Sequence, residues 1–155
     1  MPKRLLFVCL GNICRSPAAE GIFLKLIKDR GIQDKFLVDS AGTGGWHVGR
    51  LPDERMRRAA KQRGIVLNSK ARQINREDLT SFDLILTMDQ DNLSNVKSLA
   101  SRIDTQKIAI IKPILTFARR TNLMEVPDPY YGGDSGFEKV LDLLEDAIEG
   151  LLNSI

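Results

Sequence analysis

Near the start of the chain stands the run Cys9, Leu10, Gly11, Asn12, Ile13, Cys14, Arg15, Ser16, Pro17, a thiol followed by a glycine-containing loop and then an arginine. An apolar run precedes it, and a helix-compatible pattern follows. A loop that leads from a buried strand into a helix N-terminus points successive backbone N–H groups at a bound anion, and the helix dipole adds to their pull. Gly11 lets the backbone curl closely, and the planar fork of Arg15 can grip two phosphate oxygens. The same positive field favours the thiolate of Cys9, which makes that residue a candidate nucleophile. The competing reading makes Cys9 a small buried strand residue, Arg15 a surface charge, and Asn12, Ser16 and Ser40 simple turn or cap residues.

A thiolate that attacks a phosphate ester needs an acid to protonate the departing oxygen. Asp128 is the candidate. It lies in Val126, Pro127, Asp128, Pro129, Tyr130, Tyr131, Gly132, Gly133, where prolines stiffen the loop and glycines allow sharp turns. Tyr130 and Tyr131 can wall a cleft for an aromatic group. The plainer alternative is an ordinary turn aspartate flanked by packing aromatics.

These residues need a scaffold, and the hydrophobic pattern supplies one. Apolar runs at 5–8, 36–41, 83–88 and 107–111 read as four strands. Between and after them come helical patterns. Ser16 is the expected cap of the first, with Ala19, Ile22, Phe23, Leu26 and Ile27 on one face and Gly31 at its end. Pro52 opens a basic second helix, and Asp89 caps a third that turns Leu93, Val96 and Leu99 inward. Ser135 and Glu138 have capping-box spacing ahead of the stripe Phe137, Val140, Leu141, Leu144, Ile148 and Leu151. Alternating strands and helices predict a three-layer α/β domain, with a central four-stranded parallel sheet flanked by helices and the phosphate-binding loop between the first strand and the first helix. Ligands in such sheets sit outside the carboxyl ends of the strands, where Cys9, the Ser40 loop and the turn after Met88 converge.

The 155 residues suit one domain, 1–155. A formal charge of +3 is too small to call for a nucleic-acid partner, and the run Arg55, Arg57, Arg58, Lys61, Arg63 reads as a solvated helix face. With only Cys9, Cys14 and the single histidine, His47, no disulfide framework or metal site of the usual kinds is expected, and no cofactor. The apolar run of the first ten residues is too short for a leader or a membrane span, so the cytoplasm is the expected location.

Taken together, the cysteine loop ending in Arg15, Ser16, Pro17 and the later Asp128, Pro129, Tyr130, Tyr131 resemble the low-molecular-weight protein tyrosine phosphatase family, over the whole chain. Val38-Asp39-Ser40-Ala41, Trp46 with Val48-Gly49-Arg50, Lys70-Ala71-Arg72-Gln73, and Phe82-Asp83 leading to Met88-Asp89 extend the likeness. The resemblance implies Cys9 as nucleophile, Arg15 as phosphate clamp and Asp128 as general acid, in a two-step hydrolysis of phosphotyrosine on tyrosine-phosphorylated proteins through a cysteinyl phosphate. It implies substrate contacts at Leu10, Gly11, Asn12, Ile13, Cys14, Ser16, Trp46, Tyr130 and Tyr131, and support of the loop by Ser40. Some relatives carry a bracing histidine where this chain has Ser69. His47 lies in the loop that flanks the cleft in the family. Ile13 separates the chain from the arginine-phosphate branch, which resembles the same loop with threonine there. Arsenate reductase of the same fold and a phosphotyrosine-binding module are the rival readings. The first relays oxidation through further cysteines that this chain lacks, and the second would fit a chain without Cys9 or Asp128. Cys14 beside Cys9 suggests a protective disulfide. A monomer with weak self-association is expected.

Overall fold

Leu5, Leu6, Phe7 and Val8 are wholly buried because strand β1 (Lys3–Cys9) runs through the middle of a sheet covered on both faces. The computed structural model describes residues 1–104, 107–130 and 132–155. Strands β2 (Phe36–Gly42), β3 (Leu84–Thr87) and β4 (Ile110–Pro113) complete a four-stranded sheet in the order β2-β1-β3-β4, and every pairing is parallel. The predicted α/β architecture is present. Odd and even residues of β1 serve different cores. Leu5 and Phe7 pack with helices α1 (Arg15–Asp29), α2 (Glu54–Gln62) and α5 (Asp134–Ser154), whereas Leu6 and Val8 pack with Leu79 of the short α3 (Asp78–Ser81) and Val96 of α4 (Gln90–Ala100). From β1 the chain crosses to β2 on one side and later reaches β3 on the other, which opens a crevice at the carboxyl end of β1. No helix among the described residues is long and apolar enough to cross a membrane.

Several expected boundaries move, each for a physical reason. The fourth strand begins at Ile110 instead of at residue 107, because its ladder must match the buried Leu84–Thr87 segment. It is an edge strand, and so tolerates Pro113. Ser16 does not cap α1. Cys14 holds the N-cap position without a side-chain bond, and Ser16 is fully buried two residues inside the helix. On α2 the cap is Asp53, whose side chain accepts the Arg55 amide, and the helix starts two residues after Pro52. Asp89 caps α4 as expected, in a reciprocal box with Asn92. The Ser135 and Glu138 box is absent: Gly133 is the N-cap of α5 and makes no side-chain bond. A missing cap costs about 1 kcal/mol, while each fully buried Leu, Val or Phe contributes about 1.5–3 kcal/mol, so the stripe from Phe137 to Leu151 decides the helix.

The basic face of α2 is not simply solvated. Arg63 binds Glu138, Asp142 and Glu145 at 2.6, 2.9 and 2.9 Å and so ties α2 to α5. Arg57 donates to the Pro52 carbonyl, and Arg55 reaches the candidate site.

Candidate active site

Cys9 ends β1 with 2% of its surface exposed, and the chain then curls over the end of the sheet before α1 begins. Three neighbours fix that curl. Thr43 and Gly44, just beyond β2, donate to the carbonyls of Cys9 and Leu10, and Asp53 donates to that of Ile13. Gly42 packs so closely beneath the loop that a Cβ there would stand 2.8 Å from the Leu10 oxygen and 3.0 Å from the Gly11 carbonyl carbon. Asn12 adopts φ +58°, a left-handed conformation that few non-glycine residues accept. Its side chain holds it there. Nδ2 donates to Ser16 Oγ at 2.8 Å and to Ser40 Oγ at 3.0 Å, and Oδ1 accepts the Arg72 backbone N–H at 3.0 Å.

The Cys9 sulfur receives the Asn12 backbone N–H at 3.3 Å and lies 3.0 Å from Ser16 Oγ. Arg15 is also buried. Its Nη1 donates to Asp89 Oδ2 at 2.6 Å and to the Val126 carbonyl at 3.1 Å, while Nη2 stands 3.6 Å from Asp128 Oδ2. Burial alone would weaken the guanidinium's hold on its proton, but Cys9, Asp89 and Asp128 together keep its pKa above the usual arginine value. The Cys14 thiol is pushed up, first by burial and then by the negative charges of Asp53, Cys9 and Asp128, so it stays protonated.

Asp128 lies at the mouth of the site, about a third exposed, on a loop with two anchors. The Val126 amide bonds the Met88 carbonyl beyond β3, and Arg55 donates to the Tyr130 carbonyl at 3.0 Å while its guanidinium lies over the Tyr130 ring. The Tyr130 amide closes a turn onto Asp128 Oδ1. A cleft of about 400 Å³ joins these parts. Cys9, Cys14 and Arg15 line its buried end, with Gly11 and Ile13 beside them, and the exposed Leu10, Trp46 and Tyr130 line its mouth. Tyr131 lies outside the described residues.

Of the expected substrate contacts, Asn12 and Ser16 do not line the cleft, because their side chains bond one another and Ser40 behind the loop. His47 does line it. It packs on Gly11, where an added Cβ would meet its ring at 2.9 Å, and its ring centroid is 6.3 Å from that of Tyr130. Sequence reasoning also missed three supports. Asp89 was legible as a helix cap and as part of a likeness, Arg72 only as part of a likeness, and Glu20 not at all. Glu20 accepts the Ser40 hydroxyl at 2.6 Å.

A parallel α/β sheet whose first strand ends in a buried cysteine, with a caged arginine at the start of the next helix and a carboxylate over the cleft, defines a class built for phosphate oxyanions. A family model described as low molecular weight phosphotyrosine protein phosphatase matches residues 4–155, and the chain belongs to that family of enzymes. It is 51% identical over 152 residues to slr0328 of Synechocystis sp., spanning 98% of this chain and 96% of that one. A crystal structure of a protein tyrosine phosphatase from Entamoeba histolytica superposes with a TM-score of 0.91 at 44% identity, covering 98% of this chain and 96% of the other. The Drosophila arginine phosphatase DARP superposes with a TM-score of 0.92 at 34% identity, over 97% and 96%.

Proposed function

We propose that the chain is a protein-tyrosine phosphatase that works through a cysteinyl-phosphate intermediate. The observation that carries the reading is one cleft in which the Cys9 sulfur, the Arg15 guanidinium and the Asp128 carboxylate meet beneath aromatic walls. The Cys9 thiolate attacks phosphorus; the S–P bond forms as the P–O bond to the tyrosyl group breaks, and Asp128 gives its proton to the departing oxygen. Asp128, now ionised, takes a proton from water, whose oxygen bonds phosphorus as the S–P bond breaks and the thiolate is restored. Arg15 and the amides of the loop hold the equatorial oxygens in both steps. Thiolate, guanidinium and carboxyl group supply the whole of this chemistry without a metal or cofactor.

The walls set the substrate. Cys9 lies at the buried end and Leu10, Trp46 and Tyr130 at the exposed end, so a phosphate carried on a long flat ring spans the depth, while one on a serine stem falls short. Ile13 lines the cleft, and an apolar side chain there suits a phenyl ring better than a guanidinium. The natural substrates of this reading are tyrosine-phosphorylated proteins, met by a single-domain monomer in the reducing cytoplasm, where both thiols stay free.

Leaving-group chemistry tests the acid. With a series of aryl phosphates, Asp128→Asn should lower phosphoenzyme formation by about 10²–10⁴-fold for poor leaving groups and much less for good ones. An equal loss across the series would show that another group donates the proton.

A further inference from the structure

The acid loop, which carries Asp128 and Tyr130, is pinned on its entry side at Val126, whose amide meets the Met88 carbonyl and whose carbonyl meets Arg15. Beyond Asp128 the hold comes from α2. The Asp53 backbone N–H donates to the Ile13 carbonyl at 2.7 Å, which seats the start of that helix against the phosphate loop. The Asp53 carboxylate caps α2 through the Arg55 amide at 2.8 Å, and it also takes Nε and Nη2 of the same arginine at 3.2 and 3.0 Å. That two-point grip aims a planar guanidinium at the acid loop.

What the guanidinium meets there is residue 130. Nη2 donates to the Tyr130 carbonyl at 3.0 Å, and the guanidinium carbon stands 5.6 Å from the centre of the Tyr130 ring, within range of a cation–π attraction. The same carbon lies 4.7 Å from the centre of the Phe137 ring, which belongs to the buried core, so Arg55 leans on the core of the molecule. Residue 130 in turn holds the acid. Its backbone N–H donates to Asp128 Oδ1 at 3.0 Å. With Oδ1 engaged as an acceptor, the proton of the acid form belongs on Oδ2, the oxygen turned toward Arg15 at 3.6 Å. The competing reading makes Arg55 a helix-capping residue and no more. The cap uses only the Arg55 backbone, however, which a substitution leaves in place, so the reach of the side chain to residue 130 is a separate feature.

We propose that Arg55 is a positioning residue of the phosphatase site, which latches the acid loop to the phosphate loop and so sets the Asp128 carboxyl where it can protonate the leaving oxygen. The inference rests on the reading of Asp128 as general acid and adds the residue that holds it, 75 positions before Tyr130 in the chain. Its consequence falls on the first step, in which the P–O bond to the leaving group breaks. A proton donor displaced by a fraction of an ångström loses most where the departing oxygen needs its proton most. Lysine would not serve in its place, because one ammonium on a flexible stem does not reproduce a fork that grips a carboxylate and a carbonyl at once.

The test measures kcat/KM, which reports formation of the phosphoenzyme, on phenyl phosphate and on p-nitrophenyl phosphate for Arg55→Ala, Arg55→Lys, Asp128→Asn and the double variant Arg55→Ala/Asp128→Asn. Arg55→Ala should lose about tenfold on phenyl phosphate, the poor leaving group, and less than about threefold on p-nitrophenyl phosphate, the good one. Arg55→Lys should show the same bias, since it keeps the charge without the fork. Once the acid is gone its position no longer matters, so the double variant should be slower than Asp128→Asn by less than about twofold on either substrate. Equal losses on the two substrates, a fully active Arg55→Ala or Arg55→Lys, or losses that multiply in the double variant would overturn the proposal. Arg55→Lys keeps the question answerable if Arg55→Ala does not fold. Failure of the underlying reading looks different: Asp128→Asn would then itself lose equally on both substrates, whatever the Arg55 variants do.

Discussion

Arg15 shows how a single side chain is made ready before any substrate arrives. A buried guanidinium tolerates its site only if its donors are used, and here Asp89 and the Val126 carbonyl take one terminal nitrogen while the other faces Asp128 and the cleft. Asp89→Ala should therefore do double damage: about 3 kcal/mol of stability from the orphaned buried charge, with about 1 kcal/mol more from the lost helix cap, and roughly a hundredfold in kcat/KM from a misplaced clamp. Thermal melts and aryl phosphate kinetics on one preparation read both, and a variant that melts and turns over like the wild type would refute the pairing. Cys14 makes a different prediction. Because burial keeps its thiol protonated, it takes no part in turnover, and Cys14→Ser should retain kcat within about twofold. If Cys14 protects Cys9, mild peroxide should take Cys9 to the sulfenic acid and Cys14 should then displace water from it, forming a disulfide that added thiol reverses. Oxidised Cys14→Ser should recover far less activity with thiol than the wild type, and equal recovery would contradict the bridge. Cys9, Arg15 and Asp128 were legible in the sequence as candidates, because thiolate chemistry on a phosphate calls for particular residue types in short, recognisable runs, and folding brings the three to one cleft. Asp89 was not, since its partner lies 74 residues away and only folding brings them together.

At the scale of elements, the ends of strands and starts of helices do the positioning. The close of β2 is the tightest case, because the three atoms nearest a Gly42 Cβ are all backbone atoms of the phosphate loop, at 2.8, 3.0 and 3.1 Å. Gly42→Ala should leave the fold standing, at a cost of about 1–3 kcal/mol, while shifting the loop enough to cut kcat/KM about a hundredfold. Activity near the wild-type level in a folded Gly42→Ala would show that the loop yields freely. On the far side, the Arg63 cluster with Glu138, Asp142 and Glu145 joins two helices away from the cleft, so Arg63→Ala should lower the melting temperature and leave kcat unchanged. Strand and helix identities were readable from periodicity, since β1 is buried on both faces and α5 carries a continuous apolar stripe. Boundaries were not. Where β4 begins depends on register with β3, and whether a serine caps a helix or lies inside it depends on what else claims its hydroxyl. For Ser16 the claimants are Cys9 and Asn12, which local sequence does not show to be neighbours.

Across the whole molecule, stability and site readiness pull in opposite directions. Burial, reinforced by the nearby charge of Asp39, raises the Glu20 carboxyl above the usual range, although Ser40, Ser69 and Arg72 work against that rise. A carboxyl with a raised pKa in the folded state contributes stability that is full at low pH, below the unfolded glutamate value, and is lost as pH climbs through the folded value. Glu20→Gln should accordingly melt a few degrees above the wild type at pH 8, and the gap should close as pH falls towards 4. A gap that stayed constant with pH would mean that the charge at Glu20 costs nothing. Such a cost is what a group kept for function shows. The central claim is that one cleft hydrolyses phosphotyrosine through Cys9, and it meets its most direct test in phosphate release from matched phosphotyrosine, phosphoserine and phosphoarginine peptides in the presence of a metal chelator. The expected result is release from the phosphotyrosine peptide by the wild type, little from the other two and none by Cys9→Ser. Release that survives Cys9→Ser, or that favours phosphoarginine or phosphoserine, would contradict it.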